Sequence, residues 1–258
     1  MIKSAGLVAL LLGALNTACS SLPEEEERPR TRSPLTNQQA SSIYVDKGVN
    51  YMESGQYEIA LQDMQKAIEL DDENSEAHNA LAVLYQRIDD RSQADSHFRE
   101  ALSLKSDNFG ARNNYGRFLC LNERPQEAFE QFALVIGTKL YGQPWIPLTN
   151  AGVCAHAIGQ LPQAESYLRK ALSANPGFPP ALLELARLSR ETGQAIAARG
   201  FLQRYLSASG PSPEALMLGI EIEMGLGDSQ AAADYMQTLR SKFPDSTEVM
   251  QARQKRQQ

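Results

Sequence analysis

From Ser41 onward the chain repeats itself with a period near 34 residues. A chain built this way buries its apolar faces by stacking each unit on the next, because no single unit can close a core of its own. The units span residues 41–74, 75–108, 109–144, 145–178, 179–212 and 213–246, with two extra residues before Trp145. Each reads as two short amphipathic helices, here called A and B. A small residue recurs at the eighth place, as in Gly48, Ala82, Gly116, Gly152 and Ala186. Alanine recurs at the twentieth, as in Ala60, Ala94, Ala128, Ala164, Ala198 and Ala232. Small side chains there let helices A and B approach closely, and larger ones would force them apart at about 1–3 kcal/mol each. The sixth unit follows the pattern least well. Residues 247–258 are polar and helix-prone, suited to covering the last apolar face of such a stack.

The recurring aromatic, Leu-Gly, Tyr, Ala, Phe, Ala and Pro positions are similar to the tetratricopeptide repeat (TPR) pattern. That resemblance implies an all-α protein: a right-handed superhelix of six helix-turn-helix repeats plus a C-terminal capping helix. The concave wall of such a superhelix is lined by helix A and binds extended peptides or partner helices.

The N-terminus bears on the compartment. Lys3 precedes an apolar run, Ala5 to Leu15, too short to span a bilayer but suited to a secretory signal. Ala18 then stands directly before Cys19, which resembles the lipobox of bacterial lipoproteins, although Asn16 occupies the place where leucine is usual. The resemblance implies a signal peptide over 1–18, acylation of Cys19 and, with Ser20 rather than aspartate following, an outer-membrane anchor facing the periplasm. The other reading of the same residues is an ordinary cleaved signal and an unanchored protein. Residues 19–40 read as a flexible tether, since Pro23, Pro29 and Pro34 interrupt any helix and Glu24 to Glu27 is strongly solvated.

A net charge of −6 argues against nucleic-acid binding, which rests on clustered Lys and Arg. No phosphate loop, H-E-x-x-H pair or G-x-S-x-G elbow occurs. Gly225-Leu226-Gly227 lacks both a third glycine and a preceding strand, and reads as a turn. The three histidines, His78, His97 and His156, are far apart in sequence, and the three cysteines lack zinc spacing. An enzyme is not expected, nor a metal, a cofactor or a small-molecule substrate. A monomer is.

Cys120 and Cys154 fall on helix A of neighbouring units, offset by about two residues, or roughly 3 Å along the axes. With Gly116 and Gly152 nearby, they could form a disulfide in an oxidising compartment. Two buried free thiols packing as small apolar groups is the alternative. Helix A positions five, nine and twelve sketch a partner groove: Val45, Val49 and Met52, then Asn79, Val83 and Gln86, then Asn113 and Arg117. Arg187, Arg190, Met217 and Met224 extend it. An apolar patch bordered by Asn and Arg suits an amphipathic segment whose backbone the amides could hold. Equally, Val45 and Val49 could pack on the tether or on helix B of the first unit.

Six such units behind a lipobox, with Asn113-Asn114-Tyr115-Gly116-Arg117-Phe118-Leu119-Cys120 and Asn150-Ala151-Gly152-Val153-Cys154, resemble the type IV pilus biogenesis lipoproteins (pilotins) of the PilF/PilW group. The resemblance implies an outer-membrane protein that helps the pilus secretin subunit reach the membrane and assemble. In some members stabilisation of the pilus fibre is the emphasis.

Overall fold

The computed structural model describes residues 35–254, and these fold into thirteen helices with no strand among them. Twelve form six antiparallel pairs: α1 (Asn37–Glu53) with α2 (Tyr57–Leu70), α3 (Ser75–Arg87) with α4 (Arg91–Leu104), α5 (Phe109–Leu121) with α6 (Pro125–Ile136), α7 (Trp145–Ala157) with α8 (Leu161–Ala174), α9 (Pro179–Glu191) with α10 (Ala195–Ser209), and α11 (Pro213–Leu226) with α12 (Ser229–Lys242). A short α13 (Thr247–Gln254) follows. Each A helix touches the A helix of the next unit, so α1, α3, α5, α7, α9 and α11 line one wall of the superhelix.

Steric fit sets the spacing inside each pair. A Cβ placed on Gly116 would stand 2.6 Å from the ring of Phe132, and one on Gly48 or Gly152 would stand 2.7 Å from Met64 or Leu168. These partners sit sixteen residues on, in helix B, and are almost wholly buried. Burying each of those side chains contributes about 1.5–3 kcal/mol.

Between helices A and B the chain turns through a left-handed residue. Gly55, Gly159 and Gly193 supply it in units one, four and five, whereas Asp89 and Glu123 adopt φ 59° in units two and three. In the sixth unit the close approach is made by Gly219 against Tyr235, one residue before the eighth place, and the turn shortens to Gly227 and Asp228.

Successive units are stitched by a relay that the repeat pattern did not reveal. Ser41 Oγ donates to the Ala67 carbonyl at 2.8 Å and accepts from Asn74 Nδ2, also at 2.8 Å. Ser75 repeats this with the Ala101 carbonyl and Asn108 Nδ2, again at 2.8 Å. Each asparagine side chain also caps its own helix, accepting from Ala77 N or Ala111 N, so one amide closes two helix ends.

The expected tether needs correction at its end. Residues 37–40, placed in the 19–40 linker, are the first turn of α1. Thr36 and Gln39 form a reciprocal capping box, with Gln39 N donating to Thr36 Oγ1 at 3.2 Å and Thr36 N donating to Gln39 Oε1 at 3.0 Å.

Candidate functional site

The A-helix wall carries two chemically different strips. Over units two to four, position six of one helix reaches position five of the previous one. Asn114 Nδ2 donates to Asn79 Oδ1 at 3.1 Å, and Asn150 Nδ2 donates to Asn113 Oδ1 at 2.7 Å. The result is a neutral amide ladder. Asn114 Oδ1 and Asn150 Oδ1 have no hydrogen-bond donor among the described residues and could accept from a backbone laid across them. Beside the ladder Arg117 is exposed and Val153 is 43% exposed, while Val83 and Gln86 are half-buried. Cys120 and Cys154 are joined by a disulfide with Cα atoms 5.9 Å apart, fixing α5 to α7 at the centre of this strip.

Over units four to six the strip is ionic. His156 on α7 is held by two carboxylates of α9, Nδ1 with Glu184 at 2.6 Å and Nε2 with Glu191 at 2.7 Å. Burial by itself would lower the imidazole pKa, but the hydrogen bonds and charges of Glu184 and Glu191 outweigh it, and the pKa is raised above its ordinary 6.5. Arg187 then pairs with Glu214, and Arg190 with Glu221 at 3.5 Å.

Part of the expected groove is not a surface. Val45 and Met52 are only 9% and 5% exposed, and Val49 packs beside them in a core with Met64, Leu81 and Leu84. The helix A of unit two covers them, because an outer unit must bury one face of its A helix against its neighbour. Charging Val49 or Met52 would therefore disturb the first unit and not a binding site. Asn113 is 7% exposed and is a rung of the ladder more than a contact residue. Asn79, Val83, Gln86 and Arg117 remain on the strip. Asn114, Asn150, Val153, His156 and Glu184 were not foreseen, although position six lies next to a position already singled out. Cys19 lies outside the described residues. Among the described residues no group of three or more His, Cys, Asp or Glu side chains gathers to hold a metal ion, and no helix is long and apolar enough to cross a membrane.

Tetratricopeptide repeat family patterns match residues 48–89, 75–108, 155–219 and 214–246. The chain is 31% identical over 188 residues to the type IV pilus assembly protein PilF of Pseudomonas aeruginosa, covering 73% of each. Its fold superposes on the crystal structure of PilW, a widely conserved type IV pilus biogenesis factor, with a TM-score of 0.75 and 35% identity, spanning 83% of this chain and 98% of that one. The solved structure of Pseudomonas aeruginosa PilF gives a TM-score of 0.70 at 29% identity, spanning 85% and 99%. On the strength of the repeats, the superposed fold and the identity across most of the chain, this protein belongs to the PilF/PilW family of tetratricopeptide-repeat proteins of type IV pilus biogenesis.

Proposed function

We propose that the chain is an outer-membrane lipoprotein that holds a segment of the pilus secretin subunit on the strip of units two to four and promotes its localisation and multimerisation, acting by binding and not by catalysis. The observation that carries this reading is the amide ladder. Asn79, Asn114, Asn113 and Asn150 hold one another in place, so the oxygens left over are ordered before a partner arrives, and ordering them costs little on binding. Val83 and Val153 provide apolar contact beside the ladder, and Arg117 a charge. The sequence Ala18-Cys19-Ser20 supports the anchor, since a multiply acylated cysteine is held firmly where one chain binds only marginally.

The test is a membrane-fractionation blot for heat-resistant secretin multimers in a deletion strain complemented with wild type or Cys19→Ala. Loss of multimers on deletion, with poor rescue by Cys19→Ala, is the expected result. Normal multimers in the outer membrane of the deletion strain would contradict the reading and point to a later role on the pilus fibre.

A further inference from the structure

The far end of the superhelix carries a second surface, away from the amide strip. Of the chain's seven methionines, Met217, Met224, Met236 and Met250 all lie in the last unit or in α13. Between α11 and α12 a groove of about 1110 Å³ opens, walled by Met217, Ile220 and Met224 on one side and by Ala233, Met236 and Arg240 on the other. Its α12 wall runs from Ser229 to Ser241, about 18 Å at the α-helical rise. In every earlier unit the A helix that follows, of thirteen or fourteen residues, packs against both helices A and B. Here α13 takes that place in part by seating Val249, fully buried, among Leu216, Ile220, Ala232 and Leu239. Met224 stays 68% exposed and Met250 50%. Arg190 on the rim is engaged by Glu221, while Arg240 has no carboxylate partner among the described residues.

We propose that this groove holds an amphipathic helix of a partner protein, about three turns long, laid where a seventh A helix would lie. Its apolar stripe rests on Met217, Met224 and Met236, and one of its carboxylates faces Arg240. The length of the groove, the helical periodicity of both walls and Arg240, without a carboxylate partner among the described residues, define that occupant. Methionine suits the task because its unbranched, polarisable side chain adapts to the shape presented to it.

The probe is a fluorescein-labelled peptide with the sequence of residues 213–226, which covers the equivalent face of unit five and carries Glu214, Glu221 and Glu223. Its binding to the full chain is followed by fluorescence polarisation. Saturable binding is expected, weakened about tenfold or more by Met236→Glu and by Arg240→Glu, and unchanged by Arg117→Glu. Met224→Glu, at a surface position that cannot unfold the unit, is expected to weaken it as well. Absence of saturable binding, or equal binding by the Met224→Glu and Arg240→Glu variants, would overturn the proposal. So would a concentration-dependent dimer in sedimentation that Met224→Glu abolishes, since the face would then belong to a second copy of this chain.

Discussion

The junction of units three and four and the junction of units five and six join successive A helices by opposite chemistry. At the first, the A helices meet through a disulfide and an asparagine pair, with no charge crossing between them. At the second they meet through Arg187 with Glu214 and Arg190 with Glu221. His156 links the two regimes from unit four to unit five. A covalent and neutral seam is indifferent to salt and pH and sensitive to reductant. An ionic seam is the reverse, being screened within about 8 Å at physiological ionic strength. One superhelix therefore has a stiff centre, where the strip proposed to hold the secretin segment lies, and a tunable end.

Removing the disulfide should have the largest effect. Cys120→Ser with Cys154→Ser, or reduction of the wild type, is expected to cost about 3–4 kcal/mol in urea denaturation, from the entropy of the loop it closes. Hydrogen exchange should show the lost protection centred on α5 and α7, with α11 and α12 little changed. Uniform loss along the chain would mean that the seam does not act locally.

The two regions also differ in how tightly their helix pairs are packed. Gly116→Ala puts a methyl group 2.6 Å from the fully buried Phe132 ring, whereas Gly219→Ala meets the half-buried Tyr235 at 3.0 Å and the end of the buried Leu202 side chain at 3.1 Å. Overpacking costs about 1–3 kcal/mol against the roughly 1 kcal/mol that alanine regains in a helix. Gly116→Ala should therefore destabilise measurably in thermal melts and Gly219→Ala less, because its contacts are about 0.4 Å longer and need a smaller shift of Tyr235 and Leu202. Gly200→Ala, with open space around it on α10, should stabilise.

The smallest effect is that of pH. His156 has a folded pKa raised above 6.5, so its contribution to stability is fully present below that value. It is lost as pH rises through the folded pKa. Melting temperatures of the wild type should fall slightly across that window relative to His156→Gln, which should be flat there. Parallel curves would remove His156 as a titrating link.

The fold was legible because its packing is periodic. Gly48, Gly116 and Gly152, with Met64, Phe132 and Leu168 sixteen residues on, repeat the same steric fit and so repeat in sequence. The left-handed turns at Asp89 and Glu123 were not legible, since glycine marks that place in the other units and an acidic residue does not announce φ 59°. The Ser41, Asn74, Ser75 and Asn108 relay was present as a 34-residue spacing but is polar, and an apolar pattern search passes over it. The groove was half legible. Position alone could place Arg117 on the surface, but whether Val45 and Met52 face a partner or a neighbouring helix depends on how far unit two leans over unit one, which is a tertiary quantity.

The most direct measurement is capture of purified secretin by the full-length protein carrying Val153→Glu and Arg117→Glu, beside Lys170→Glu on α8, away from the A-helix wall. If the strip of units two to four holds the secretin segment, the double variant loses capture at least about tenfold, the discrimination expected when an apolar contact and a charge are both reversed, while Lys170→Glu captures as wild type does. Undiminished capture by a folded Val153→Glu, Arg117→Glu protein would contradict the account.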